Sequence, residues 1–490
     1  MAEIPDKPAL EGLEDKWDVA WNAAGTYRFD RARAAVAGRG GVYSIDTPPP
    51  TASGSLHIGH VFSFTHTDIK ARYERMRGKA VFYPMGWDDN GLPTERRVQN
   101  YYGVRCDPSL PYDASFTPPF EGTTKTIKPA DQVPVSRRNF IELCERLTVE
   151  DEKQFEAVFR QLGLSVDWDQ TYRTISDDTI RTSQLAFLRN IERGEAYQAL
   201  APTLWDVDFR SAIAQAELED RDQQASYHRI AFHKSDGSGD VHIETTRPEL
   251  LPACVALVAH PDDERYRPLF GSTVRTPLFD VEVPVLPHPL AQPDKGSGIA
   301  MICTFGDVTD IIWWRELDLP NRTILGKDGR LVAEAPDVIV SDRGTAAYAE
   351  LAGKTVFSAK KVVVEQLEAS GELMSVSAPF THPVKFFEKG DRPLEIVSTR
   401  QWYIRNGARD ESLRERLIAF GREMSWHPDF MRVRYENWTG GLTGDWLVSR
   451  QRFFGVPIPV WYGLDAEGER DYSRVLTPDP QSLPVDPTID

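Results

Sequence analysis

The sequence predicts an α/β protein whose parallel sheet is interrupted by a β-rich insertion. Three observations support this prediction. Up to about residue 204, short apolar runs alternate with segments of helical periodicity, which is typical of parallel strands joined by crossover helices. From about residue 223 to 345, the chain changes to short β-branched runs separated by Gly, Pro and Asp. Strand-like patterning of the first kind returns after about residue 380.

Composition and charge exclude several classes of protein. The 490 residues are 41% hydrophobic and 27% charged, enough for several domains with their own cores. The net charge of −17 argues against a small basic nucleic-acid-binding module, although it is compatible with a local basic groove. No apolar run reaches the roughly 18 residues of a membrane span, and the N-terminus lacks a signal-peptide pattern. We therefore expect no membrane partner.

The cysteines predict a reducing environment. All four are more than thirty residues apart, and none forms a Cys-x-x-Cys motif. Because disulfide frameworks and structural zinc sites use closely spaced cysteines, we expect neither, and we expect the protein to work in the cytoplasm.

The first part of the chain predicts alternating helices and strands. Apolar residues at helical spacing predict an amphipathic helix over 10–21. A buried strand over 42–45 ends at a run of prolines, which stop both strands and helices. A helix then begins near His57, and a strand over 79–83 and a helix over 95–102 follow.

The next stretch predicts an irregular insertion and two long helices. Residues 104–135 are rich in Pro, Thr, Ser and Asp, a composition typical of loops. Helical periodicity then covers 137–162 and 177–193.

The β-rich insertion and the region after it predict mostly strands. The predicted strands cover residues 242–245, 255–258, 281–286, 299–303, 386–387 and 394–398. A helix is predicted over 412–420. The last thirty residues are rich in Pro, Asp and Gly and predict no regular element.

The first informative motif is Thr47-Pro-Pro-Pro-Thr-Ala-Ser-Gly-Ser-Leu-His-Ile-Gly-His60. A strand ends, a turn follows, and a helix begins with two histidines that share one face. Free N–H groups and the helix dipole favour anions at this position. His57 and His60 could donate hydrogen bonds to the phosphates of a nucleotide, and Gly59 leaves room for a flat base. Two surface histidines or a metal-binding pair are alternatives, although no Glu or Cys lies at ligand spacing.

A second motif about thirty residues later identifies a family. It is Met85-Gly-Trp-Asp-Asp-Asn-Gly-Leu-Pro-Thr-Glu95. The two motifs, in this order, resemble the signature of class I aminoacyl-tRNA synthetases, and specifically the branch that activates Val, Ile, Leu and Met. The resemblance covers essentially the whole chain. It implies a Rossmann-like catalytic domain split by an inserted editing domain, ATP with Mg²⁺, a tRNA partner and a monomer.

Within that branch, the motifs resemble the valine-activating members. Asp89-Asn90 follows Gly86-Trp87-Asp88, where isoleucine enzymes typically have Cys-His and leucine enzymes Ala-Phe. The later segment over residues 437–452 also has the valine-type pattern. The resemblance therefore implies valine as substrate and tRNA(Val) as partner.

The resemblance also assigns residues to the amino-acid site. Asp88 would bind the α-ammonium group of the amino acid, since a desolvated ammonium needs a carboxylate partner. A backbone carbonyl near Pro49 would accept a second ammonium proton. Trp402 resembles the aromatic wall of the pocket, and Gln451 and Phe454 match its other side. A tryptophan in the hydrophobic core is the alternative for Trp402.

The inserted domain resembles a hydrolytic editing domain. A pocket for valine cannot strongly reject threonine, so a second site is needed to remove threonine from the tRNA. Residues 244–249 resemble the Thr-rich editing motif, and residues 296–310 resemble the second editing segment. The resemblance assigns this site to Thr245, Thr246, Arg247, Asp307 and Asp310.

Each editing residue has an implied role. Thr245, Thr246 and Arg247 would hold the 3′-terminal adenosine or position water. One of the two aspartates would bind the ammonium group and the other the threonine hydroxyl. The chain departs from the more widespread pattern Lys-Val-Thr-Pro-Ala-His-Asp, because the lysine, one threonine and the histidine are absent before Asp307.

These patterns predict three domains. Residues 1–204 would form the N-terminal helix and the first half of the catalytic domain, residues 205–348 the editing domain, and residues 349–490 an incomplete return to the catalytic domain. The family's Lys-Met-Ser-Lys-Ser signature is absent, and residues 358–361 provide only the nearest string. We therefore expect a truncated chain with little valine-dependent ATP–pyrophosphate exchange of its own.

Three alternatives remain for function. An isoleucine-activating enzyme would show exchange driven by isoleucine. A stand-alone aminoacyl-tRNA deacylase would hydrolyse Thr-tRNA(Val) without ATP. An inert fragment or pseudoenzyme would do neither.

Overall fold

The computed structural model describes residues 11–53, 56–122, 127, 131–303 and 308–488. Two compact units make up the chain. Unit one consists of Met1–Arg193 and Arg452–Asp490, and unit two of Gly194–Gln451. The predicted division into functional domains at 204/205 and 348/349 stays a prediction.

Unit one begins with helices and short parallel strands. Its helices in the first segment are α1 (Leu13–Ala24), α2 (Arg31–Gly41), α3 (Ile58–Met76), α4 (Leu92–Tyr102), α5 (Arg137–Gln161) and α6 (Asp177–Glu192). Its strands there are β1 (Val42–Ser44), β2 (Ala80–Phe82), β3 (Pro84–Trp87), β4 (Val104–Cys106), β5 (Val133–Val135) and β6 (Asp167–Arg173).

The strands of this segment pair in parallel. β1 pairs with β2, β3 with β6, and β4 with β5. Helix α3 lies between β1 and β2, and helices α4 and α5 lie between β3 and β6, as is usual for the crossover connections of parallel strands. A core of buried aromatic and aliphatic side chains, including Tyr83, Trp87 and Phe159, packs against these strands. The predicted α/β class is confirmed.

Helix α3 is held in place by polar contacts near its C-terminal half. Asp68 accepts a hydrogen bond from the Ser165 backbone N–H at 2.6 Å and pairs with Arg72 at 2.7 Å. Arg75 donates to the Ser165 carbonyl at 2.7 Å. Because these partners lie on the segment between α5 and β6, the helix that starts after His57 is fixed relative to the strands.

Unit two is mainly β. Its strands are β7 (Ala196–Asp206), β8 (Ser211–Ala212), β9 (Leu218–Ala225), β10 (His228–Lys234), β11 (Asp240–Thr245), β12 (Cys254–Ala259), β13 (Thr273–Arg275), β14 (Glu282–Pro287), β15 (Ile299–Cys303), β16 (Leu373–Val376), β17 (Phe380–Phe387), β18 (Glu395–Ile404) and β19 (Trp446–Leu447). Its helices are α7 (Val308–Glu316), α8 (Asp342–Ala349), α9 (Val356–Ser370), α10 (Glu411–Glu423) and α11 (Met431–Gly440).

A seven-stranded sheet dominates unit two. Its order is β11-β10-β13-β14-β12-β15, and β16 pairs with β10. β12 is buried along its whole length, as its uninterrupted apolar sequence favours. Helix α9 contributes Ala359, Val363 and Leu367 to the same core. A second sheet has the order β19-β18-β7-β8, and β17 pairs with β9. The predicted β-rich insertion is confirmed.

The chain then returns to unit one and forms a hairpin. The hairpin consists of β20 (Trp461–Leu464) and β21 (Arg470–Leu476), which pair antiparallel. The prediction of no regular element in the last thirty residues is therefore wrong. A register shift at Tyr462/Gly463 interrupts the period-two alternation of side chains, which hides the strand pattern in the sequence.

Within the described residues, no helix is both long and apolar enough to cross a membrane.

Candidate functional site

The two histidines of the first motif cap α3 reciprocally. His57 Nδ1 accepts a hydrogen bond from the Gly59 N–H at 3.1 Å, and His60 Nδ1 accepts one from the His57 N–H at 3.3 Å. The two rings stack with centroids 3.9 Å apart. Because an Nδ1 that accepts carries no proton, each neutral ring bears its proton on Nε2. Both rings therefore keep one donor for a ligand.

The environment of His60 favours its neutral form. Burial lowers the pKa of His60, and the neighbouring His57 lowers it further. The Phe155 ring lies 5.9 Å from the His60 ring and forms part of these surroundings. At neutral pH, His60 is therefore a hydrogen-bond donor through Nε2 without carrying a full positive charge.

Gly59 has a different local role from the predicted one. A Cβ atom at this position would lie 3.0 Å from the His57 ring, which is too close for an ordinary contact. In this structure the space beside Gly59 is therefore filled by the His57 imidazole. The expected approach of a nucleotide base to Gly59 stays a prediction.

A cavity lies beside the start of α3. Its volume is about 300 Å³, and its lining includes His57, Val61, Gln154 and Phe155. His57 immediately precedes α3, Val61 lies in α3, and the other two lie in α5, all in unit one. The cavity provides room for part of a ligand next to the His57 ring.

The second motif is joined to the proline segment by backbone pairing. Thr51 and Asp88 form a parallel β-bridge. The Asp88 N–H donates to the Pro50 carbonyl at 3.0 Å, and the Ala52 N–H donates to the Asp88 carbonyl at 2.9 Å. Pro49 is the residue before this pairing, so the structure brings the two predicted ammonium-binding residues, Pro49 and Asp88, to one place.

The Asp88 carboxylate is oriented by two threonines. Thr51 Oγ1 donates to Asp88 Oδ2 at 3.2 Å, and Thr174 Oγ1 lies 3.5 Å from Asp88 Oδ1. Thr174 also accepts hydrogen bonds from the Asp89 N–H at 3.1 Å and from Asn90 Nδ2 at 3.2 Å. Sequence reasoning missed Thr174, because no pattern links it to a motif more than eighty residues earlier.

Phe454 lies beside the second motif. Its backbone N–H donates to Glu95 Oε1 at 3.0 Å, and its carbonyl accepts a hydrogen bond from the Gly91 N–H at 3.2 Å. The Phe454 side chain is buried in a core that also contains Val98 and Phe140. The structure therefore places Phe454 near Asp88 but supports a packing role for its ring. Its predicted contact with the amino acid stays a prediction.

Trp402 and Gln451 belong to a polar network in unit two. The backbone N–H of Trp402 donates to Ser449 Oγ at 2.9 Å. Gln401 Oε1 accepts hydrogen bonds from Ser449 Oγ at 2.5 Å and from Gln451 Nε2 at 3.1 Å. Gln451 Oε1 also accepts from the Ala212 N–H at 3.0 Å. Trp402 is buried and Gln451 is tied to its neighbours, and their pocket roles stay predictions.

The two predicted editing segments meet in unit two. Thr245 ends β11, and the Glu244 N–H donates to Ser297 Oγ at 3.2 Å. A Cβ atom on Gly296 would lie 3.3 Å from the Glu244 side chain. The segments 244–249 and 296–303 are therefore neighbours, as one shared site requires.

Arg247 is engaged by carboxylates. Its Nε donates to Glu249 Oε1 at 2.9 Å and its Nη2 to Glu395 Oε2 at 2.8 Å. Burial alone would lower the pKa of Arg247, but the two carboxylates outweigh it and raise the pKa. In this structure the Arg247 guanidinium therefore holds the local fold. Its expected contact with the 3′ adenosine stays a prediction.

Lys360 is a polar neighbour that sequence reasoning missed. Its Nζ donates to the Thr246 carbonyl at 2.7 Å. Burial lowers the pKa of Lys360, and Glu249 opposes that effect. The only sequence signal near it was the lysine-containing string 358–361, which marks no known pattern.

The predicted aspartate pair is only partly described. Asp310 lies in the first turn of α7 and is buried. Burial raises the pKa of the Cys303 thiol, and the charge of Asp310 contributes to the rise. Asp307 lies outside the described residues. The paired arrangement of Asp307 and Asp310 stays a prediction.

Metal-ligating side chains do not cluster in the part of the chain that the structure describes. No group of three or more His, Cys, Asp or Glu residues there has the geometry to hold a metal ion.

The comparisons with known proteins agree on one family. A family model described as class I tRNA synthetases (I, L, M and V) matches residues 16–110 and 122–475. The chain is 74% identical over 486 residues to a protein of Leifsonia xyli named valine–tRNA ligase, covering 99% of this chain and 56% of that one. It is 65% identical over 485 residues to a protein of the same name from Thermobifida fusca, covering 99% and 54%. The chain spans about half the length of the curated relatives it matches.

Proposed function

The chain belongs to the class I tRNA synthetases of the isoleucine, leucine, methionine and valine branch, and from this premise we propose that it forms the nucleotide- and amino-acid-binding part of a valine–tRNA ligase. The observation that carries the proposal is the backbone pairing of Thr51 with Asp88. This pairing places the carboxylate of the second motif beside the segment that leads into the His57 helix. The valine-type sequence of the second motif supports valine as the amino acid.

The proposed reaction begins with adenylate formation. The valine carboxylate oxygen attacks the α-phosphorus of ATP, and the bond from that phosphorus to the pyrophosphate oxygen breaks. Asp88 accepts hydrogen bonds from the valine ammonium group, and the nearby carbonyl of Pro49 accepts another. His57 and His60 donate through Nε2 to the phosphate oxygens, where negative charge develops. The protein thus acts mainly by alignment and charge stabilisation.

Mg²⁺ enters this proposal with ATP. Bound to the phosphates, it would neutralise part of their negative charge. In the second step, the 3′-terminal ribose hydroxyl of tRNA(Val) attacks the carbonyl carbon of valyl-adenylate and AMP leaves. The monomeric state and the cytoplasmic location stay predictions.

Unit two is proposed to hydrolyse threonine mistakenly attached to the tRNA. The contact of Glu244 with Ser297 supports this, because it joins the two segments that resemble editing motifs. A stand-alone deacylase is the second candidate function. The separate compactness of unit two supports it, since the unit contains both segments and its own core.

The test is valine-dependent ATP–pyrophosphate exchange. It is measured in a protein that contains this chain and matches its curated relatives in length. Asp88→Asn should raise KM for valine by about tenfold or more, because the ammonium loses a charged partner. His60→Asn should lower kcat by about a hundredfold, as expected for loss of one oxyanion donor. Asp169→Asn is the matched control, because the Asp169 carboxylate forms an exposed ion pair with Arg28 away from the second motif.

Exchange driven by isoleucine rather than valine would overturn the proposed substrate. Hydrolysis of Thr-tRNA(Val) without any amino-acid-dependent exchange would favour the deacylase instead.

A further inference from the structure

A carboxyl pair, one member fully buried and the other partly buried, lies next to Asp88 and has no role in the proposed reaction. We define it as Asp89, which follows Asp88 in the second motif, and Glu152 on α5. The Asp89 side chain is fully buried. Among the described residues, no N–H or O–H group donates a hydrogen bond to either of its carboxyl oxygens. An ionised carboxylate that is buried without hydrogen-bond donors is costly. The protonation state of Asp89 therefore depends on the charged groups around it.

One arginine serves both members of the carboxyl pair. Arg173 Nε lies 2.7 Å from Glu152 Oε1 and 3.6 Å from Asp89 Oδ2. The Arg173 Nη2 donates to Thr148 Oγ1 at 3.1 Å. The short contact identifies Glu152 as the ionised partner of Arg173. Asp89 is left with the longer, weaker contact.

The charges around the carboxyl pair do not balance if both acids are ionised. Asp88 lies beside Asp89, and Glu156 lies on the same face of α5 as Glu152. Arg173 is the cation that faces Asp89 in this group. One fully buried and one partly buried carboxylate against one guanidinium, with Asp88 adjacent, would leave uncompensated negative charge in a region of reduced dielectric. One proton shared between the two acids removes that excess.

The directions of the pKa shifts agree with this geometry. Burial raises the pKa of Asp89 to about 7, the charge of Glu152 raises it too, and Arg173 opposes the rise. Burial also raises the pKa of Glu152, but Arg173 holds it lower. Of the two acids, Asp89 therefore holds the proton more strongly.

The carboxyl pair is connected to Asp88 through Thr174. Thr174 Oγ1 accepts a hydrogen bond from the Asp89 N–H and lies 3.5 Å from Asp88 Oδ1. We propose that Asp89 and Glu152 share one proton beside Arg173, so that the pair and the guanidinium together are close to neutral, and that this positioning pair leaves Asp88 as the carboxylate that receives the substrate ammonium. The assignment rests on the proposed function only in its last step, the role of Asp88.

The experiment is a carboxyl ¹³C NMR titration of the full chain labelled at aspartate Cγ. We expect one aspartate resonance that titrates near pH 7. Asp89→Asn should remove it, and Glu152→Gln should move its midpoint to lower pH, because Arg173 then has only Asp89 to pair with. Asp151→Asn is the matched control, since Asp151 is a buried acid on α5 paired with Arg97. That control should leave the resonance and its midpoint unchanged.

Two results would overturn the shared proton. One is the absence of any aspartate resonance that titrates above about pH 5, and the other is survival of the resonance in Asp89→Asn. If Asp89→Asn does not fold, Glu152→Gln alone decides, because a midpoint that stays in place or rises contradicts the proposal.

Adding valine separates this inference from the proposed function. A bound ammonium at Asp88 should shift the Asp89 midpoint to lower pH, and Asp88→Asn should abolish that shift. A resonance near pH 7 with no response to valine supports the shared proton and counts against Asp88 as the ammonium site. A valine response without such a resonance supports the function and overturns the inference.

Discussion

At the residue scale, the candidate site depends on side chains that hold other functional groups in place. His57 and His60 each accept a hydrogen bond from a backbone N–H group through Nδ1. Their rings are therefore oriented before a ligand binds. Thr51 and Thr174 do the same for the Asp88 carboxylate. Such orientation matters because a donor that is already aligned costs no reorganisation when charge develops.

Glu95, the last residue of the second motif, hydrogen-bonds to the segment where the chain re-enters unit one after residue 451. Its Oε1 accepts the backbone N–H groups of Phe453 at 2.7 Å and Phe454 at 3.0 Å, and Arg452 lies 3.5 Å from its Oε2. The side chain is buried. These partners are over 350 residues away in sequence, so Glu95 joins two distant segments of unit one.

Glu95→Gln should therefore destabilise unit one by about 1–3 kcal/mol. The amide keeps one oxygen acceptor but loses the charge that two N–H groups and Arg452 share, and buried partners left unsatisfied are costly. Urea unfolding monitored by tryptophan fluorescence would measure the change. Glu150→Gln is the control, because Glu150 pairs with Lys153 on an exposed face of α5, and it should stay within about 0.5 kcal/mol. Equal stability of both variants would contradict this role.

At the element scale, a histidine joins the β10–β11 hairpin to β16. His233 Nδ1 lies 2.8 Å from Asp240 Oδ1, and its Nε2 lies 3.0 Å from Glu372 Oε1. Asp240 is the cross-strand partner of His233 in the hairpin, and Glu372 precedes β16. Only a protonated ring can donate to both carboxylates at once, so the charge of His233 links three strands.

The contribution of His233 to the stability of unit two should decrease as the pH rises above about 6.5. Burial alone would lower the pKa of His233, but its hydrogen bonds with Glu372 and Asp240 raise it above 6.5. The stabilisation is fully present below the unfolded value and disappears as pH rises through the folded pKa. Comparing the free energy of unfolding of His233→Asn with the unchanged protein at pH 5.5 and 8.5 measures it. The difference should shrink at the higher pH.

The control for this pH effect is His242→Asn on the same hairpin. His242 lies opposite Ala231, so His242→Asn removes a histidine of the hairpin but leaves the contacts of His233 with Asp240 and Glu372 in place. A difference for His233→Asn that stays constant or grows with pH would refute the charged bridge.

At the scale of the whole molecule, the boundaries of unit two follow from strand pairing. The strand β7 near its start pairs along its length with β18, and β18 pairs with β19 near its end. The unit therefore begins and ends in one sheet. Helix α9 and strand β16, which lie beyond residue 348, complete its core and its large sheet.

A fragment of residues 194–451 should fold cooperatively by itself. It contains the large hydrophobic core and both partners of each strand pair in that core. A fragment of residues 205–348, cut at the boundaries predicted from sequence, lacks α9 and β16 and should be aggregated or unfolded. Near-UV circular dichroism and thermal unfolding would compare them. A cooperative transition in the shorter fragment would show that the later elements are dispensable.

The sequence by itself determined the local chemistry of this protein. Proline and histidine patterns located the turn, the start of α3 and its two imidazoles, because helix caps and prolines act over a few residues. Alternating periodicity predicted the parallel α/β part and the β-rich insertion, and the match to the family model confirms the resemblance drawn from the two motifs. The hairpin of β20 and β21 was missed because its alternation is interrupted.

Only the tertiary structure decided which distant groups meet. Thr174 beside Asp88, Glu95 beside Phe454, Glu395 beside Arg247 and Glu152 near Asp89 are all separated by tens to hundreds of residues. Burial also distinguishes the two aspartates of the second motif: the Asp88 carboxylate accepts a hydrogen bond from Thr51, whereas Asp89 is fully buried, which raises its pKa. Sequence cannot supply this, because desolvation and long-range pairing depend on what packs around each side chain.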